Sequence, residues 1–184
     1  MRPIYVVNNY GQFNHLILRK LRDMEIDAEM VANTTPPSEI ATGCRGIVLG
    51  GGPTLDRAGH CAKYLDLDLP VLGICLGLHI IALACGGSVR KGVSGGYGAV
   101  DVDICHHDTI LAGYPDTIRV WASHADEVAE LPEGCTTLAR SPICRIEAMK
   151  AEKRPIFGVQ WHPEVSHSME GGRIFENFNR ICSV

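Results

Sequence analysis

The first apolar run, Ile4 to Val7, has no polar interruption, and predicts a strand buried on both faces. Asn8 to Gln12 is polar and contains a glycine, so it reads as a loop. From Phe13 to Met24, apolar Leu16, Ile17, Leu21 and Met24 recur at helical spacing against Arg19, Lys20, Arg22 and Asp23, which predicts an amphipathic helix. Ala28 to Ala32 reads as a second short strand. Pro36-Pro37 marks a connection, with Ser38 as the cap of a short helical turn. Ile47 to Leu49 is a third strand, running into Gly50-Gly51-Gly52-Pro53. Ala58 to Leu65 reads as helix, Val71 to Ile74 as a fourth apolar strand, and Leu76 to Ala84 as an apolar helix stopped at Gly86-Gly87. This alternation of strand and helix predicts a parallel sheet covered on both faces.

The second half changes period. Ala99 to Ile104 alternates apolar and polar, like a half-buried strand. Thr117 to Ala122, Thr136 to Ala139 and Ile146 to Met149 offer further short strands, best placed as antiparallel additions at one sheet edge. Ile156 to Gln160 is a last core strand. Gly172 to Ile181 closes the chain as a helix with Ile174, Phe175, Phe178 and Ile181 on one face. Gly92, Gly95, Gly96 and Gly98 follow no clear strand, open no helix and make no dinucleotide fingerprint. With no repeat, low-complexity tract or linker, residues 1–184 read as one domain. The predicted class is α/β: a mostly parallel central sheet flanked by helices, with added antiparallel edge strands.

The chain is 46% hydrophobic over 184 residues, enough for a buried core, so disorder is excluded. A net charge of −4 with scattered positive residues argues against a nucleic-acid partner. No apolar run approaches the ~20 residues that span a bilayer, and the start lacks the features of a signal peptide. A cytoplasmic location away from membranes is therefore expected. Eight cysteines without a Cys-x-x-Cys fit reduced thiols, most of them small buried hydrophobes. The question is whether one differs.

Gly73-Ile74-Cys75-Leu76-Gly77 lies between an apolar strand and an apolar helix. This is a cysteine version of the nucleophile elbow, whose tight turn lifts the central side chain above the sheet. The N-terminus of the following helix favours a thiolate. His162 and Glu164 follow the last core strand, at the sheet edge where functional residues gather in α/β folds. His162 suits a general acid and base, and Glu164 two residues on suits its orienting carboxylate. Gly50-Gly51-Gly52-Pro53 leaves backbone N–H groups open, so with the Leu76 N–H it offers an oxyanion hole. Each element has a plainer alternative: a packing cysteine, an exposed His beside a solvated Glu, an ordinary Gly-Pro turn. Cys105-His106-His107 lacks a fourth ligand and reads as a surface loop, so no metal site is expected.

Taken together, Val71-Leu72-Gly73-Ile74-Cys75-Leu76-Gly77, Gly50-Gly51-Gly52-Pro53 and Gly158-Val159-Gln160-Trp161-His162-Pro163-Glu164 resemble the class I (triad) glutamine amidotransferase family, in order and spacing, over nearly the whole chain. Within that family, His162-Pro163-Glu164-Val165-Ser166-His167, Trp121 to Val128 and Asn33-Thr34-Thr35-Pro36 resemble the glutaminase subunits of two-chain, archaeal-type GMP synthases. The resemblance implies catalytic Cys75, His162 and Glu164, an oxyanion hole from Gly52 and Leu76, and a glutamine site touching Gly51, His79, Ser123, His124 and Asp126. It implies no cofactor on this chain, with ATP and Mg on a partner, the GMP synthase ATP-pyrophosphatase subunit, where XMP becomes GMP. The absence of an ATP-binding motif before Val184 fits that division. Asp126 and Glu127 either face that partner or form a solvated face. Two positions depart from the family pattern: His79 stands where glutamine is usual, and Gly96 where relatives often carry glutamate. Alternatives are the small subunit of anthranilate or aminodeoxychorismate synthase, against which Val165 after His-Pro-Glu speaks, and a non-catalytic module of the same fold. A redox or metal protein is a third.

Overall fold

The computed structural model describes residues 2–107 and 109–184, with only the backbone for residues 93–95. In chain order its elements are β1 (Ile4–Asn8), α1 (Asn14–Asp23), β2 (Ala28–Ala32), α2 (Pro37–Gly43), β3 (Gly46–Leu49), α3 (Cys61–Tyr64), β4 (Val71–Ile74) and α4 (Leu76–Ala84). There follow β5 (Ser88–Ile104), β6 (Thr117–Glu130), β7 (Cys135–Arg140), β8 (Ala148–Ala151), β9 (Ile156–Val159) and α5 (Gly171–Ile181). The strands form one sheet in the order β2-β1-β3-β4-β9-β8-β7-β5-β6. From β2 to β9 neighbours run parallel. From β9 to β6 they run antiparallel. The predicted class is the observed one, an α/β sheet with its antiparallel part gathered at one side.

Strand alternation sends neighbouring side chains to opposite faces, and the core divides accordingly. Ile4, Val6, Val48, Leu72 and Ile74 pack with Ile17 and Leu21 of α1 and with Ile174, Phe175 and Phe178 of α5. On the other face Val7, Ile47, Leu49 and Val71 pack with Ile40 of α2, Tyr64 of α3 and Leu78 and Ile81 of α4. Each such side chain, removed fully from water, stabilises the fold by about 1.5–3 kcal/mol. Helix α4 is buried from Leu76 to Ala82 and, His79 apart, carries no polar side chain.

Three expectations are corrected. Ser38 does not cap α2: Pro36 holds the cap position with Pro37 just inside, and no side chain bonds there. Pro37 is preset for that place and lacks only an N–H that would go unpaired anyway. The helix read over Ala58 to Leu65 is broken, with a 3₁₀ turn at Leu55–Arg57 and only Cys61–Tyr64 as α-helix. Between them Gly59 adopts φ +57, and an added Cβ would lie 2.5 Å from the Asn33 carbonyl oxygen. The third is the length of the edge ribbon. Strand β5 has 17 residues and β6 has 14, so Gly92, Gly95, Gly96 and Gly98 lie inside a strand. Register shifts after Ser88 and between Lys91 and Gly96 let the ribbon bend.

The parallel strands deliver their carboxyl ends to one edge, where β1 leads to residues 9–13, β3 to Gly50, β4 to Cys75 and β9 to Gln160. Strand β6 comes alongside. The Trp121 carbonyl accepts from the His162 N–H at 3.0 Å, the Ser168 hydroxyl oxygen accepts from the Trp121 N–H at 2.9 Å, and Met169 N–H donates to Arg119 O at 2.8 Å. These bonds bring Ser123 to Asp126 over Cys75.

Candidate active site

Cys75 sits between β4 and α4 with φ +54 and ψ −104, a region that L side chains rarely occupy and that tertiary structure must enforce. Its N–H donates to Val159 O at 2.8 Å, and its carbonyl accepts from the His79 N–H at 3.3 Å to start α4. The turn is this tight because the flanking glycines touch. A Cβ on Gly73 would lie 2.5 Å from the Gly77 carbonyl carbon, and one on Gly77 would lie 2.2 Å from Leu49 O. The Leu76 N–H is one of the donors that the first turn of a helix leaves without an intrahelical acceptor.

The Cys75 thiol and His162 line the same cavity on either side of Gly51, and Sγ lies 3.8 Å from Ser123 O and 3.7 Å from Gln160 Nε2. On its far side His162 Nδ1 donates to Glu164 Oε1 at 2.7 Å, with the two side chains 6% and 1% exposed. Ring contact with Phe13, edge to face at 5.1 Å, fixes the imidazole plane. The Ser168 hydroxyl donates to His162 O at 2.6 Å. Burial by itself opposes charge on His162, but the neighbouring Cys75 sulfur, the hydrogen bond to Glu164 and the Glu164 charge outweigh it and raise the imidazole to about 10. His162 is therefore an imidazolium at neutral pH.

The Gly50–Gly52 loop is held from behind by side chains that the sequence reading passed over. Asn9 Nδ2 donates to Gly50 O and Asn14 Nδ2 to Gly51 O, both at 3.0 Å, and the Gly11 N–H also donates to Gly51 O at 3.1 Å. Asn33 in turn bonds Asn9 Oδ1 at 3.1 Å. Because a trans peptide points its C=O and N–H opposite ways, anchoring Gly51 O turns the Gly52 N–H away from Asn14. Gly51 packs on the two reactive side chains: an added Cβ would lie 3.3 Å from His162 Cε1 and 3.9 Å from Cys75 Cβ.

Two cavities meet at Cys75. One, about 310 Å³, opens between the Tyr10–Asn14 loop, Gly51 and His162. The other, about 230 Å³, is walled by Leu76, His79, Tyr97 and Ser123–Asp126. Gly52, Pro53, Cys75 and Ser123 border both. The residues expected at the glutamine site thus lie around Cys75, with Gly51 on the first cavity and His79, Ser123, His124 and Asp126 on the second. His79 is buried, and its Nε2 is engaged with Gln160 Oε1 at 2.8 Å. His124 Nδ1 donates to the Asp126 carbonyl at 2.9 Å. Its ring lies against Gly96, where an added Cβ would come within 2.2 Å of Nε2. A glutamate at 96 therefore has no room while His124 stands as it does. Burial pushes both His79 and His124 below the ordinary histidine range, so each is neutral at pH 7.

The other cysteines are different. Burial pushes the Cys61, Cys144 and Cys182 thiols up to about 12, leaving them inert hydrophobes. Cys105, His106 and His107 are exposed beyond β5, and among the described residues no group of three His, Cys, Asp or Glu side chains could hold a metal ion. Glu127 is not part of a solvated face: it is buried and pairs with Arg90 at 2.9 Å. Asp126 is exposed beside it.

Cys75, His162 with its Glu164 carboxylate, and the Gly50–Gly52 loop thus stand together at one edge of the α/β sheet. The sequence model of glutamine amidotransferase class-I matches residues 5–182, and the chain belongs to that family. The A subunit of the glutamine-hydrolyzing GMP synthase of Methanoculleus marisnigri is 64% identical over 183 residues, covering all of both chains. The protein of the same name from Archaeoglobus fulgidus is 53% identical over 97% of this chain and 98% of that one. The crystal structure of a putative A subunit of GMP synthase from Thermoplasma acidophilum matches with TM-score 0.95 and 40% identity, over all of this chain and 94% of that one.

Proposed function

We propose that this chain is the glutaminase subunit of a two-chain GMP synthase, working in the cytoplasm. One observation carries the chemistry: Cys75, strained at the head of α4, shares a cavity with an imidazolium whose Nδ1 is held by Glu164 at 2.7 Å. The Cys75 thiolate attacks the side-chain carbonyl carbon of glutamine. The Gly52 and Leu76 N–H groups receive the oxyanion. His162 gives its proton to the amide nitrogen, the carbon–nitrogen bond breaks, and ammonia leaves a thioester on Cys75. Water then attacks the thioester, His162 takes its proton, the carbon–sulfur bond breaks, and glutamate departs as the thiolate is restored beside the imidazolium. The cavity beside His79, Ser123, His124 and Asp126 suits the amino-acid end of glutamine, with the Asp126 carboxylate available to its ammonium.

This chemistry uses no cofactor on the chain. The step that consumes ammonia, with ATP and Mg turning XMP into GMP, belongs in this reading to an ATP-pyrophosphatase subunit. Supporting it are the names of the full-length relatives. No helix among the described residues is long and apolar enough to cross a membrane, which is compatible with that location.

The test is a glutamine assay on the purified chain, alone and with XMP and the ATP-pyrophosphatase subunit. Slow hydrolysis alone, rising with both additions and absent in Cys75→Ala, is the expected result. A Cys75→Ala protein that still released glutamate would refute the mechanism. Stimulation by an anthranilate or aminodeoxychorismate synthase subunit instead would redirect the assignment.

A further inference from the structure

Gln160 stands in the last core strand's exit and is 0% exposed, so both ends of its amide must find partners inside the protein. Its backbone is fixed, with the Gln160 N–H donating to Glu147 O at 2.7 Å. Its side-chain oxygen faces His79 Nε2 at 2.8 Å and its nitrogen faces Cys75 Sγ at 3.7 Å. A neutral imidazole has one N–H. Spent on Gln160 Oε1, that proton dictates the direction of the amide: oxygen toward His79, NH₂ toward the sulfur. An amide turned the other way would present a carbonyl oxygen to Cys75 and an NH₂ to a protonated nitrogen. His79 is on the first turn of α4, one turn beyond Cys75, where a side chain reaches back along the same helix face.

We propose that Gln160 is a further catalytic residue, donating a hydrogen bond to the Cys75 thiolate, and that His79 is a positioning residue that locks the donating end of the Gln160 amide toward sulfur. This rests on the reading of Cys75 as the nucleophile. The thiolate then has the Gln160 amide as a donor at 3.7 Å, beside the neighbouring His162 imidazolium. His162 loses its proton to the leaving nitrogen, whereas the amide keeps its own throughout. Gln160 therefore favours charge on sulfur when the thiolate first forms and again when the thioester breaks. Hydrogen bonds to charged groups are stronger than those between neutral ones, so the gain falls on the charged form of Cys75 and not on glutamine binding.

The experiment follows Cys75 alkylation by iodoacetamide against pH in the full-length chain, with mass spectrometry to locate the label, alongside glutaminase kinetics. Wild type should label first at Cys75. Label going elsewhere, with glutaminase activity retained in Cys75→Ala, would remove the nucleophile assignment itself. In Gln160→Leu, Cys75 labelling at pH 7 should slow about tenfold, its pH midpoint should rise, and kcat should fall by a similar factor with KM within twofold. His79→Leu should slow labelling about threefold, His79→Gln should restore it because its amide can donate to Gln160 Oε1, and the double Leu variant should be no slower than Gln160→Leu alone. Wild-type labelling in a folded Gln160→Leu protein would overturn the proposal. So would a His79→Leu protein whose KM rises while labelling is unchanged. A measurement without any variant guards against misfolding: ¹⁵N NMR of wild type at pH 7 should show the His79 proton on Nε2. A proton on Nδ1 alone would mean a reversed amide and would overturn the proposal as well.

Discussion

Glu164→Gln keeps the size and shape of the side chain that meets His162 Nδ1 and removes its charge. In the native protein the imidazole rises from 6.5 to about 10. At about 1.4 kcal/mol for each unit, the surroundings favour the imidazolium by about 5 kcal/mol after burial has been overcome. Cys75 and Glu164 share that effect. Assigning about half to the carboxylate predicts a loss of 2–3 kcal/mol, or about a hundredfold in kcat/KM for glutamine hydrolysis. The pH dependence gives the sharper assay. The reactive pair of thiolate and imidazolium survives upward in pH only while His162 stays protonated. Its alkaline limit should lie near 10 in wild type and about two units lower in Glu164→Gln, read from kcat/KM for glutamine hydrolysis against pH. Stability follows the same sign. A histidine raised on folding contributes fully below its unfolded value of 6.5, and the contribution is lost as pH rises through about 10. The melting temperature of wild type should fall across that window, and that of Glu164→Gln should fall less. A variant whose hydrolysis stays within threefold of normal up to pH 9 would refute the reasoning.

Cys75→Gly should abolish hydrolysis yet melt about 2–4 °C above Cys75→Ala, because glycine accepts φ +54 without strain; equal melting temperatures would show that the elbow stores none. Glu147 is buried, one oxygen meets the Ser141 hydroxyl, the other has no hydrogen-bond partner, and burial holds the carboxyl up to about 7. A carboxyl raised on folding costs stability as pH climbs from about 4.5 through 7, so Glu147→Gln should raise the melting temperature at pH 8 and change it little at pH 5, as calorimetry can show. Gly96→Glu should displace the His124 ring and raise KM for glutamine about tenfold, with Cys75 labelling within twofold of normal; an unchanged KM would separate the second cavity from glutamine binding.

The parallel half of the fold was legible because strands buried on both faces must be uniformly apolar, and Ile4–Val7, Ile47–Leu49, Val71–Ile74 and Ile156–Val159 leave no other reading. Cys75, His162 and Glu164 were legible for a related reason, since each sits in a short contiguous motif tied to a strand end. What escaped depends on contacts between distant segments. Gly59 breaks a helix only because Asn33 presses on it. Glycines 92–98 hid a strand, since glycine has no side chain to show alternation and low strand preference, yet that strand pairs Gly96 with His124 and Tyr97 with Ser123. Glu127 looked like surface charge until β5 supplied Arg90. Gln160 was read as the end of a strand; its bearing on Cys75 exists only once α4 has placed His79 across from it.

Three imidazoles surround the two cavities at one thiol, and only one of them carries charge. His79 and His124 are buried like His162, but each donates to a neutral acceptor, the Gln160 amide oxygen and the Asp126 carbonyl. A neutral acceptor does not offset the cost of burying a cation, and His124 is further opposed by its neighbours His79 and His162. The carboxylates of Asp126 and Glu127 act on the other two only through space, whereas His162 hydrogen-bonds a carboxylate directly, at 2.7 Å. The proton is thereby confined to the imidazole that shares the first cavity with the thiol, where a departing amide nitrogen needs it. Of the two positions that depart from the family pattern, His79 adds an imidazole beside the thiol without adding a second acid, because its sole N–H is already committed to Gln160, and Gly96 leaves the space that the His124 ring fills. The departures thus reshape the wall of the second cavity while the acid–base pair at Cys75 keeps its own proton.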